Sequence, residues 1–174
     1  MNIFVLSESY CPIESARFQC DAHIRKMGIE STQLLANVFS KDDLKLAPKT
    51  QTGNVRKHSH INHPCDKWIK ESKQNVDWLI LHTRELFNEF TFRYKKRHFT
   101  ESFLDWIENN TDLINLNNNC VTPFPIAINE SMICRKVENF NSLPRFLQYR
   151  LYYKFDKPFA QWNKGRNVPY WFNT

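Results

Sequence analysis

The 174-residue sequence predicts a mainly α fold: a single compact helical domain with long loops and a short N-terminal extended segment. Three observations point there. Apolar residues recur at near-helical spacing over Ala16, Cys20, Ile24, Met27, Leu34, Leu35 and Val38, and again over Trp68, Ile69, Val76, Leu79, Ile80, Leu86, Phe87 and Phe90. Between and after these stretches lie aperiodic segments rich in Asn, Pro, Lys and Thr, which read as loops. Only three glycines occur, Gly28, Gly53 and Gly165, which excludes both the dinucleotide-binding fingerprint and the P-loop. A domain of this length buries roughly 70% of its unfolded surface and needs no disulfide or metal staple.

The elements follow in order. Ile3-Phe4-Val5-Leu6 is a strand or a buried extended anchor that fixes the N-terminus against the core. Ser7 to Pro12 form a loop. A long helix begins near Ile13 or Glu14, where Pro12 suits a helix start and Glu14 suits the positive end of the dipole. Residues 40–62 lack a period and contain Pro48 and Gly53, so they form a loop. Pro64 restarts a helical pattern that runs to about Lys96, with a break near Gln74-Asn75. Thr100 caps a short helix through Phe103, Leu104, Trp106 and Ile107. Residues 109–130, Asn-rich with Pro123 and Pro125, form a loop. Residues 140–156 form a helix with Pro144 in its first turn, and the tail from Pro158 to Thr174 is mostly irregular.

Lys and Arg total 24 against 18 Asp and Glu, a net charge of +6 that favours a polyanionic partner. The charge is uneven. Residues 140–174 hold six basic side chains against one acid, Asp156, and 11 of the 25 aromatic rings. Five cysteines at wide spacing, with no C-x-x-C, read as reduced thiols of a cytoplasmic protein. No secretory signal and no membrane span is evident.

Four groups of residues bear on chemistry. The row Arg17–Asp21–Arg25, with His23, Lys26 and Glu30 close by, places a carboxylate between two cations at i±4. Such a carboxylate stays ionised and can stabilise a developing cation, while the basic residues hold phosphates. The alternative is a solvated face laced with i,i+4 pairs. Three His and one Cys lie in His58-Ser59-His60-Ile61-Asn62-His63-Pro64-Cys65, but their spacing matches no standard zinc finger, and no metal is expected. Asn62-His63-Pro64 stands at the mouth of a helix, where backbone N–H groups can receive a phosphate. Arg93-Tyr94-Lys95-Lys96-Arg97-His98 is a basic cluster that either answers the helix dipole or contacts phosphates. Finally, Tyr152, Tyr153, Lys154, Lys157, Trp162, Lys164 and Arg166 interleave rings and cations. That mixture suits nucleic acid, with cations on phosphates and rings on unpaired bases, or else a core-filling tail with wet charges.

The order of these features resembles the pyrimidine-dimer DNA glycosylases of the endonuclease V type found in phages and bacteria. The matching pieces are Ile3-Phe4-Val5-Leu6, Cys20-Asp21, Asn62-His63-Pro64, Phe92-Arg93-Tyr94-Lys95-Lys96-Arg97 and Tyr152-Tyr153-Lys154. They span most of the chain, though each is short. The Cys-Asp-x-His helix and the Asn-His-Pro-Cys segment are also similar to a group of uncharacterised phage proteins.

The resemblance implies a DNA glycosylase with associated lyase activity on damaged or modified pyrimidines, working through an imine at the N-terminal amine without a cofactor. Met1 would be the nucleophile, because Asn2 is too bulky for ready removal of Met1. Asp21 would be the acid, one methylene shorter than the family's usual Glu, with Glu30 as its rival and His23 as a proton carrier. The implied DNA contacts are Arg17, Arg25, Lys26, Asn62, His63, Arg93, Lys96, Arg97, Tyr152, Tyr153, Lys154, Trp162, Lys164 and Arg166. The partner would be double-stranded DNA, met by a monomer in the cytoplasm, the host's if a phage encodes the chain. Competing expectations are a non-catalytic nucleic-acid-binding phage protein, a metal-dependent hydrolase built on His58, His60, His63 and Cys65, and an enzyme of free modified nucleotides.

Overall fold

A computed structural model describes residues 1–173; Thr174, the end of the expected irregular tail, lies outside them. The helices are α1 (Pro12–Arg17), α2 (Asp21–Ala36), α3 (Lys41–Leu46), α4 (Pro64–Ile69), α5 (Lys73–Tyr94), α6 (Glu101–Glu108) and α7 (Arg145–Asp156). Short 3-10 turns at 111–113, 133–136 and 140–142 interrupt the loops before α7. No strand occurs among the described residues, so the mainly α expectation holds. No described helix is long and apolar enough to cross a membrane.

The axis of the fold is α5. Ser72 opens it by accepting the Gln74 N–H at 3.1 Å. Lys95 closes it in the left-handed region (φ 56°) with its N–H on the Thr91 carbonyl. One side of α5 packs along α1 and α2, and shorter contacts reach α4 and α6. Val76, Leu79, Leu86 and Phe87 are the most deeply buried of its apolar positions and recur at helical spacing.

The N-terminal run Ile3–Leu6 is a buried extended anchor, not a strand. Its backbone is satisfied by side chains instead of a ladder. The Ser15 hydroxyl accepts the N–H groups of Leu6 (3.2 Å) and Ser7 (3.1 Å), and Arg150 Nε donates to the Leu6 carbonyl at 2.9 Å.

Several boundaries differ from expectation. The long first helix is divided between α1 and α2. Phe18 ends α1, and Cys20 turns extended before α2. The freed Asp21 N–H bonds to the Gln161 carbonyl at 2.9 Å, so contact with the tail holds the break open. Arg17 and Asp21 therefore do not share a helix face. The second break falls at residues 70–72, ahead of the expected Gln74-Asn75, because Ser72 is the cap. Asn75 lies inside α5 and hooks Trp68 O and Thr122 Oγ1, each at 2.7 Å. Within the expected loop 40–62, Ser40 and Asp43 form a capping box that nucleates α3. Thr100 stands at the start of α6 but does not cap it by its side chain. Pro144 precedes the first turn of α7.

Gly28 marks the closest approach of α2 to α5. A Cβ there would come close to the buried Phe87 ring. Gly28→Ala is expected to destabilise the fold by about 1–3 kcal/mol through overpacking, read as a lower urea midpoint with little change in slope.

Candidate active site at the N-terminus

The first residue is positioned by the second. Asn2 is buried, and its Oδ1 accepts the Ile3 N–H at 2.9 Å and faces the Tyr149 hydroxyl at 2.8 Å. Its Nδ2 donates to the Ala127 carbonyl at 3.1 Å. The next four apolar residues are buried, and they carry the α-amine of Met1 to α2. It lies 3.5 Å from Glu30 Oε2 on α2. Lys26 Nζ holds the other carboxylate oxygen, Oε1, at 2.9 Å. Glu30 is mostly buried, so its charge is answered by two cations on opposite oxygens.

This pair lines a cavity of about 210 Å³, which also takes in Phe4, His23, Tyr152 and Lys157. The His23 ring stacks on Phe4 at 4.5 Å between centroids and presents Nδ1 to the Tyr153 hydroxyl. Phe159 covers it edge-on at 5.5 Å. Burial, and then the charges of Lys157 and Lys26, push the His23 pKa down to about 3, so the imidazole is neutral at pH 7. Lys157 Nζ sits 3.9 Å above the Tyr152 ring. His63 does not line the cavity; it caps α4 by accepting the Cys65 N–H at 3.2 Å. Burial lowers its pKa, and the Met1 ammonium and His60 push the same way.

The site thus joins an amine, a carboxylate, a neutral imidazole and two lysines. Such a set can deprotonate an amine, shelter a cationic nitrogen and hold an anion. Met1, Glu30, His23 and Lys26 come together, and His63 stands close by.

Asp21 does not join them. Its Oδ1 accepts from Arg93 at 3.0 Å and its Oδ2 from the Asn163 N–H at 2.7 Å. It is a bracket between α2, α5 and the tail. Arg93 is correspondingly structural. Its side chain is fully buried and bonds Glu89 Oε2 (2.9 Å), the Gln19 carbonyl (2.8 Å) and the Arg17 carbonyl (2.9 Å). Arg166 joins the same network through Glu89 at 3.1 Å. Arg17 pairs with Glu85 at 2.6 Å, and Arg97 with Glu101 at 3.2 Å. Tyr153 and Trp162 are core residues; the Trp162 indole N–H donates to the Phe18 carbonyl at 3.0 Å. Tyr152 is largely buried but borders the cavity. Arg25, Asn62, Lys96 and Lys164 are exposed, and Lys154 is half-buried.

The histidine segment does not form a ligand set. His58 Nε2 is turned to the Phe39 carbonyl at 2.9 Å, His63 caps a helix, and burial pushes the Cys65 thiol up to about 12. Among the described residues no three His, Cys, Asp or Glu side chains converge as metal ligands. Phe4 was expected in the N-terminal anchor and Asn2 only as a bar to Met1 removal; that these two residues position the site was not read from the sequence. A polar residue directly ahead of four apolar ones was the available signal. The chain matches no family model, no curated protein and no solved structure.

Arg93→Ala would leave Glu89 to Arg166 and Asp21 to the Asn163 N–H, and would remove the donor that serves the Gln19 and Arg17 carbonyls. The expected loss is about 3–5 kcal/mol of unfolding free energy, measured by urea titration.

Proposed function

We propose that the protein is a DNA glycosylase with associated lyase activity on damaged or modified pyrimidines, acting through an imine on the Met1 amine. The observation that carries the reading is the 3.5 Å approach of that amine to Glu30 in a concave, lysine-flanked cavity. The resemblance of the short motifs, in their order, to those of the dimer-specific glycosylases supports it, with Glu30 taking the role the resemblance gave first to Asp21. The substrate would be double-stranded DNA, bound by a monomer in the cytoplasm.

The Met1 amine serves as a nucleophile once its proton passes to Glu30 or to solvent. Its lone pair attacks C1′ of the target nucleoside. The glycosidic bond breaks, and the base leaves with its electron pair and takes up a proton. The sugar ring then opens as the C1′–O4′ bond breaks, leaving a protonated imine. The Glu30 carboxylate lies beside this cationic nitrogen and stabilises it. Loss of a C2′ proton expels the 3′ phosphate and nicks the strand, and water hydrolyses the imine to release the amine. The Glu30 carboxylate, beside the imine nitrogen, is the group placed to take the C2′ proton, because His23, its pKa pushed down to about 3, is a weak base. Lys157 and Lys26 flank the opening and suit phosphates on either side of an extruded nucleotide.

The test is borohydride reduction in the presence of duplex carrying a pyrimidine dimer or an abasic site. The expected result is one covalent protein–DNA adduct per active site. Glu30→Gln, with its fold verified by circular dichroism, should lower turnover by about 10²–10⁴-fold. Duplex binding without any adduct would identify a non-catalytic DNA-binding protein and overturn the reading.

A further inference from the structure

A second basic concavity lies along residues 55–61, outside the cavity at Met1. One face of this segment and α3 enclose a groove of about 740 Å³, and the opposite face borders a hollow of about 410 Å³. No Asp or Glu lines either one. The groove is bordered by Lys41 and Lys45 of α3 and by Arg56, Lys57, His58 and His60. Lys45 is engaged with Asp42 at 2.7 Å, whereas no bond or ion pair involves the exposed side chains of Lys41 and Lys57.

Arg56 is the decisive residue. Its guanidinium carbon lies over Phe103, 3.9 Å from the ring centroid, and its Nε donates to the Pro48 carbonyl at 2.8 Å. These contacts hold the guanidinium at the border of the two hollows it lines. No carboxylate of the described residues pairs with it. A half-buried arginine without an acid is costly to hold, and burial alone pushes its pKa down to about 10. A planar fork held this way matches the oxygens of a phosphodiester.

The segment is rigid enough to present such a site. Asn37 clamps Ser59 with paired bonds, Nδ2 to the carbonyl at 2.7 Å and N–H to Oδ1 at 3.0 Å. The chain then passes through His60 to His63, which senses the Met1 ammonium and Glu30. Exposed Ile61 and Val55 border the groove and offer apolar contact to deoxyribose faces.

We propose that Arg56, with Lys41 and Lys57, forms a phosphodiester track that grips the backbone of the DNA strand flanking the Met1 cavity. The proposal rests on the reading of DNA as the partner, but not on the imine chemistry.

The experiment is a fluorescence-anisotropy titration of labelled undamaged duplex, from about 50 to 200 mM salt, on the full chain. Lys41→Gln/Lys57→Gln alters only exposed side chains and guards against misfolding, while Arg56→Gln probes the fork. The log–log salt slope should fall by about 2 for the double variant and by about 1 for Arg56→Gln, with weaker binding at each salt concentration. Binding and slope equal to wild type in both variants would overturn the track. If the wild type still forms the borohydride adduct in that case, only the track fails. Absence of any duplex binding by the wild type would sink the DNA reading with it. Inorganic pyrophosphate that binds through Arg56, while duplex affinity ignores Arg56, would assign a free-phosphate site and overturn the proposal.

Discussion

The arrangement at Met1 depends on one constraint, the burial of Asn2 together with the four apolar residues after it. Chain termini ordinarily fray, because few contacts offset the entropy of ordering them. Here the Asn2 amide ties the terminus to Ile3, Ala127 and Tyr149 at once. The Tyr149 ring is completely buried and stands edge-on to Phe4, so it cannot easily swing away. Once this clamp closes, the charged amine is carried against α2, and Glu30 is the carboxylate that meets it. Phe4 in turn stacks on His23 and fixes the imidazole beside the same cavity.

The positive charge of the chain divides between two uses. A large part is structural. Arg93 joins α1, α2 and α5, Arg150 ties α7 to Leu6 and Glu8, and Arg84 gathers Glu101 and Asp105 of α6. Guanidinium groups suit these posts because several donors in one plane can satisfy separate carbonyls and carboxylates. Most of the remaining cations are lysines. Lys26 and Lys157 flank the Met1 cavity, and Lys41 and Lys57 border the groove at Arg56. Net charge alone does not distinguish these two uses.

Periodicity made the helical class legible, since buried positions on α2 and α5 recur at the spacing a helix requires. It did not reveal the break at Phe18–Cys20, because Ala16, Cys20 and Ile24 keep that spacing across it, and the break comes from a distant contact with Gln161. For the same reason Asp21 read as a helix-face acid between two arginines, when it is a bracket to Arg93 and Asn163. The choice between Asp21 and Glu30 depended on how an extended segment crosses α2, which is tertiary information. The aromatic tail shows the other limit. Tyr153, Trp162 and Trp171 fill the core, and composition does not separate such rings from rings that stack on bases. α3 was legible in principle, through Ser40 and Asp43 at capping-box spacing, but the surrounding Lys and Thr read as loop.

The central claim is that the N-terminal amine, and not a neighbouring lysine, is the reacting nitrogen. Lys26 and Lys157 line the same cavity and are the natural rivals. Peptide mapping by mass spectrometry of the borohydride-reduced adduct distinguishes them, because trypsin releases residues 1–17 as a separate peptide. The account predicts the sugar remnant on the α-nitrogen of Met1 in that peptide. A remnant on Lys26 or Lys157, or on a peptide whose Met1 amine is acetylated, would contradict it.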